Sequence, residues 1–168
     1  MSIEETAHHE AGHAVAAIKS GKSFRYVTID PNEYSRGRVV FKTGFKRNMR
    51  SRVLCENNAI IALAGPIAGA HSCNRKTRRG ASVDFREAVA MIDHICGSPE
   101  ETKAYIAWLD VRARMFVHAT IPWAQIKAVA RELLARPKGK RSLSSQQVVE
   151  ICEYVWKAEM GPAPTDLG

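Results

Sequence analysis

A chain of 168 residues, 45% hydrophobic and 25% charged, is long and apolar enough to bury one core, which excludes a disordered or fibrous polymer. No apolar run approaches the roughly 20 residues that span a bilayer, and the four scattered cysteines form no CxxC pair, which argues against a disulfide-stapled scaffold or a cysteine zinc ribbon. The formal net charge of +8 and pI near 9.6 require acidic partners or a well-solvated basic surface.

The first predicted helix opens at Ser2, whose N-cap position with Glu5 three residues on has the form of a capping box. Ala7, Ala11, Ala14, Val15, Ala17 and Ile18 continue a helical apolar pattern, and Ser20-Gly21 ends it. Phe24 to Ile29 is aromatic and β-branched and predicts a strand, broken by Asp30-Pro31-Asn32. Arg38 to Lys42 predicts a second strand after a turn at Gly37, so a small sheet follows, with room for a third strand that the pattern does not place.

From Arg50 the chain turns helical. Val53, Leu54, Asn57, Ile60, Ile61 and Ala64 mark its buried face, and Gly65-Pro66 predicts an interruption or kink. His71 to Ala81 is polar and basic, a predicted loop. Ser82 then caps a helix to about Cys96, with Gly97 as its stop. Ser98-Pro99 opens the next, with Glu101 completing a second box. Further helices are expected from Thr120 to Ala135 and from Ser144 to Met160. The reading is therefore α+β, mostly α with a small sheet near the amino terminus: one domain over 1–160 and a flexible tail over 161–168.

Inside the first helix stands His9-Glu10-Ala11-Gly12-His13, an HExxH pattern. Residues four apart share a helix face, so both imidazoles can reach one cation. Glu10 lies about 100° around the axis from His9, close to such an ion without taking a ligand position. His8 faces away from the pair and is read as a surface or supporting group.

A catalytic zinc needs three protein ligands and one open position. A third histidine in the HExxHxxGxxH pattern is excluded, because Ala16 and Lys19 stand where glycine and histidine are required. Glu33, twenty residues after His13, has thermolysin-like spacing but follows Pro31 in a predicted turn. Asp84 opens a predicted helix, where the macrodipole favours a carboxylate with or without a metal. Position alone leaves both open.

The segment His9-Glu10-Ala11-Gly12-His13-Ala14-Val15, the Val27-Thr28-Ile29 strand, Ala64-Gly65-Pro66-Ile67-Ala68 and Gly80-Ala81-Ser82-Val83-Asp84-Phe85 together resemble the protease domain of FtsH, peptidase family M41. The likeness runs from Ala7 to about Ile151 and takes in the carboxy-terminal helices around Ile126, Val129, Leu133 and Val148. It implies a zinc-dependent endopeptidase with Zn2+ held by His9, His13 and Asp84, and with Glu10 as the catalytic base for a metal-activated water. Flexible or unfolded polypeptides are its implied substrates. Family members carry a membrane anchor and an AAA+ ATPase ahead of the protease, and they assemble as hexamers. Here the metal motif begins at residue nine and no P-loop is present, so ATP hydrolysis, if needed, is expected from a separate ATPase or adaptor partner. Gly69-Ala70 replace acidic residues that often follow the family's glycine-rich helix segment.

A cytoplasmic location is expected from reduced thiols and the absence of a signal peptide. The runner-up function is a catalytically silent M41-like binding or regulatory module. A nucleic-acid-binding role stands lower. The basic stretches Lys42–Arg52, with Phe45 its single aromatic, and Asn74–Arg79 carry no recognisable nucleic-acid-binding motif and are expected to be solvated loops and helix faces.

Overall fold

The computed structural model of the protein describes residues 1–42, 51–75 and 82–161. Its first helix, α1 (Ile3–Lys19), starts where expected: the Ser2 hydroxyl accepts from the Glu5 amide at 3.1 Å. The box is only half formed, since the Glu5 carboxylate pairs with Arg75 rather than reaching back. At the other end Gly21 takes φ +67°, which lets its own amide bond Ile18 O and the Lys22 amide bond Ala17 O. Those two bonds form a Schellman stop that a side chain at position 21 would strain.

Two strands follow, β1 (Phe24–Thr28) and β2 (Arg38–Phe41). Five more helices and one strand complete the order: α2 (Arg52–Ser72), α3 (Val83–Asp93), α4 (Pro99–His118), α5 (Thr120–Ala135), β3 (Ser142–Ser144) and α6 (Ser145–Met160). The protein is thus mostly helical with one three-stranded antiparallel sheet, in the order β2-β1-β3. Asp30 does more than break β1: its carboxylate accepts from the Gly139 and Arg141 amides at 2.9 and 2.8 Å. That clamp brings Ser142–Ser144 alongside Thr28–Tyr26 and supplies the third strand. β2 is left at the edge, with no strand on its outer side among the described residues.

Four helical expectations need correction. α2 runs unbroken through Pro66, with no interruption at Gly65-Pro66. Burial of its central residues against neighbours on several sides outweighs the roughly 3 kcal/mol that an interior proline costs. Its buried face is also displaced: Val53 and Leu54 are 62% and 48% exposed, while Cys55, Asn58, Ala59 and the run Ile61–Gly65 lie inside. The first turn of α2 projects past the core, so its apolar residues meet solvent. α3 ends at Asp93, short of Cys96, and in α4 Glu101 reaches past Ser98 to accept from the Gly97 amide at 2.7 Å. The full reciprocal capping box occurs at α6, between Ser144 and Gln147.

α2 is long and apolar enough to meet a membrane-span criterion of length and composition, with a mean hydropathy of 1.3. Two-thirds of that window is buried inside the protein, as befits a core helix. Most of both basic stretches, and residues 162–168 of the expected tail, lie outside the described residues. Among the cysteines, Cys55 and Cys152 are buried, Cys96 is half-buried and Cys73 exposed.

The closest helix pairing is α1 on α2, and small residues create it. A methyl on Gly12 would sit 2.8 Å from Ala64 O and 2.8 Å from the Ala68 Cβ, so the two backbones approach as near as glycine allows. Overpacking of this kind costs about 1–3 kcal/mol. Gly12→Ala is therefore expected to lower stability by that amount in urea denaturation; an unchanged midpoint would mean that the helices separate freely.

Candidate metal centre

α1 presents His9 and His13 one turn apart, and the first turn of α3 brings Asp84 to them from 71 residues further along (84 − 13). His9 Nε2 and His13 Nε2 lie 3.0 Å apart. Asp84 Oδ2 is 3.4 Å from His9 Nε2, and Oδ1 is 3.5 Å from His13 Nε2. One donor atom from each of the three side chains falls within 4.8 Å of the others, and this is the one such His/Cys/Asp/Glu cluster among the described residues.

Those spacings can be tested against a cation. Metal–donor bonds of about 2.0–2.1 Å arranged tetrahedrally put neighbouring donors about 3.3 Å apart. The two imidazole nitrogens are 3.0 Å apart, and each lies 3.4 or 3.5 Å from a different oxygen of Asp84, so the carboxylate straddles the pair at close to that distance. Protonation agrees as well. His13 Nδ1–H donates to the Ile61 carbonyl at 2.7 Å, which in the neutral ring leaves the Nε2 lone pair facing the site. His9 is oriented differently: its Nδ1 is buried without a hydrogen-bond partner among the described residues. Two imidazole nitrogens and one carboxylate form a donor set that fits zinc.

Two glycines make the space. A Cβ on Gly65 would lie 2.2 Å from His13 Nε2, so α2 must carry glycine where the ring stands. A Cβ on Gly37, just before β2, would lie 2.7 Å from Glu10 Cγ and 2.9 Å from its Oε1. Glu10 is thereby enclosed, only 6% exposed, and burial raises its pKa despite the opposing pull of His13, His9 and Arg38. A cleft of about 430 Å³ opens onto His9 and Glu10, bounded by Met1, Thr6, Arg36 and Gly37. Arg36 is tied across it by a 2.9 Å bond to Met1 O.

In the metal-free protein the charges are strongly coupled. Burial alone would push the His13 imidazolium down, but the Asp84 hydrogen bond and charge, helped by Glu10 and the Ile61 carbonyl, raise its pKa to about 9. Burial opposes ionisation of Asp84, yet both imidazoles hold it well below the usual carboxylate range. The sign for stability is fixed by these directions. A raised histidine contributes stability that is complete below about 6.5 and is lost as pH climbs through about 9. A ligating cation must expel that proton. Apparent zinc affinity is therefore expected to rise about tenfold per pH unit for each proton displaced between pH 6.5 and 8.5. Chelator-buffered zinc titrations would read it; an affinity independent of pH would contradict this protonation scheme.

Glu33 is placed elsewhere. It sits in an exposed bend held by Asn32, whose side-chain oxygen accepts from the Tyr34 and Ser35 amides at 3.0 and 2.8 Å. His8 turns from the centre, donating to Glu4 O at 2.9 Å and stacking on Trp123. Glu87 was not anticipated. It stands one turn beyond Asp84 on α3, and its pKa is raised by partial burial and by the Asp84 charge. The i, i+3 spacing from Asp84 was the available signal. No protein-family model matches the chain, and no curated protein does either.

Proposed function

We propose that the protein is a zinc-dependent endopeptidase of the FtsH (M41) type, cutting flexible or unfolded polypeptides. One observation carries the reading: donor atoms of His9, His13 and Asp84 converge within 4.8 Å of one another, and Glu10, a buried carboxylate outside that donor set, stands on the same helix as the two histidines. His9, His13 and Asp84 would hold the ion. When bound, zinc supplies Lewis-acid chemistry, lowering the pKa of a water toward about 7 and drawing charge from a carbonyl oxygen.

The chain's own groups do the rest. Glu10 accepts the proton of the attacking water and returns it to the departing amine, and its raised pKa brings it nearer to the pH at which both steps must run. His13 keeps its orientation through Ile61, and Gly37 fixes the Glu10 carboxylate against the start of β2. β2 is an edge strand beginning beside that carboxylate, so an extended peptide can pair with it and cross the cleft at His9 and Glu10. Only a chain free to extend can do so. A separate ATPase or adaptor would be needed to deliver folded substrates.

The test is metal dependence. Purified protein is expected to hold one tightly bound zinc per chain and to hydrolyse casein. Removal of the ion by a chelator should abolish hydrolysis, and added zinc should restore it. Casein cleavage that survives complete metal removal would rule the reading out.

A further inference from the structure

The helix α4 carries two apolar stripes, and the fold uses only one. Ile106, Leu109, Ala113 and Val117 face the core and are buried. On the opposite side Ala104, Trp108, Val111 and Met115 follow a 4-3-4 spacing, which places them within about 60° of one another around the axis. Trp108, Val111 and Met115 are 45%, 50% and 70% exposed. A helix that is apolar on both sides is normally covered on both.

What flanks the outer stripe is basic. Arg112 lies over the Trp108 ring at 5.1 Å, Trp108 stacks nearly parallel on Tyr105 at 5.7 Å, and Arg52 of α2 lies over Tyr105 at 5.4 Å. Arg114 borders the other side and bonds Asp110 at 3.0 Å. The nearby Glu56 carboxylate is engaged by the Tyr105 hydroxyl. Each aromatic ring therefore has two partners already, another ring and a guanidinium. Base stacking would have to displace one of them, whereas packing against the ring edges and the Val111 and Met115 side chains would not. A second copy of this chain would set Arg112 and Arg114 against their own like, on a molecule already at +8.

We propose that the outer face of α4 is a docking seam for an acidic amphipathic helix of a partner protein. The partner lays leucine-like residues along Trp108, Val111 and Met115 and sets glutamates or aspartates against Arg112 and Arg52. The surface shares no residue with the His9–His13–Asp84 centre, and its use does not depend on the peptidase reading.

The probe is a designed helical peptide of about three heptads with leucine at the seam and glutamate beside it, and a twin carrying lysine in place of glutamate. Fluorescence anisotropy with the full chain is expected to show the glutamate peptide binding at least about tenfold tighter than its twin, with affinity falling as salt rises. Trp108→Ala with Met115→Ala should weaken it at least about tenfold, and Arg112→Glu should reverse the preference between the twins. Both sites are exposed, so circular dichroism should be unchanged. Equal binding of the twins, or indifference to either variant, would overturn the proposal. So would a dimer in sedimentation that Trp108→Ala dissolves, which would make a second copy the occupant. Tight binding of a single-stranded oligonucleotide lost in Trp108→Ala would overturn it in favour of nucleic acid.

Discussion

Glu10→Gln should keep its zinc and lose casein hydrolysis by about 10²–10⁴-fold, the range that a positioned general base contributes. The amide has nearly the shape of the carboxylate, so it fits the space left by Gly37, but it cannot accept a proton from water. The loss should fall on kcat, with KM little changed, because the group acts on the reacting water and not on the bound peptide. Stability should hold or rise, since a neutral amide escapes the desolvation that raises the carboxyl's pKa. A folded, zinc-loaded variant running at the wild-type rate would remove Glu10 from the chemistry and leave a bound ion without its base.

How much of this was legible follows from how local each signal is. α1 was readable because its N-cap, alanine pattern and glycine stop all lie within twenty residues, and so was the spacing that puts His9 and His13 on one face. β3 was not: three residues carry no period, and their pairing with Thr28 closes a loop of more than a hundred residues through the Asp30 clamp. Gly65 and Pro66 were visible as residues, but the interruption they suggested does not occur. The reason for the glycine is a ring from another helix, 2.2 Å from where its Cβ would be. Such contacts leave no trace in the periodicity of α2. Gly37 is similar: it is written as a turn residue, while its consequence is room for Glu10.

The two apolar stripes of α4 show the same limit from the other side. A pattern apolar at many positions predicts a helix well and its buried face poorly, because period alone does not say which stripe the rest of the chain will cover. The first turn of α2 failed for that reason, with Val53 and Leu54 outside. By contrast Asp84 was ambiguous as a sequence feature, for an aspartate in a first helical turn needs no metal. Its partner atoms, at 3.4 and 3.5 Å from two imidazoles, remove the ambiguity about where it stands.

Asp84→Ala then tests what that placement does. Even residues that only orient a metal ligand change affinity by about 10–100-fold, so loss of a ligand with its negative charge should weaken zinc by at least about 100-fold. Two terms add. The anionic donor disappears, and His9 and His13 lose the carboxylate that fixes them relative to each other. Partly opposing them, His13 loses the main group that holds its pKa near 9, so less proton must be displaced and the pH dependence of loading should flatten. Asp84→Asn separates these effects, because it keeps an oxygen donor at the helix start while removing the charge; it should retain more zinc than alanine and show the same flattened profile. Glu33→Ala, altering an exposed bend, should bind zinc like the wild type. If the alanine variant at 84 kept its full complement while the one at 33 lost it, the third ligand would have to come from the β1–β2 connection, which could reach the histidines only by leaving the bend that Asn32 now holds.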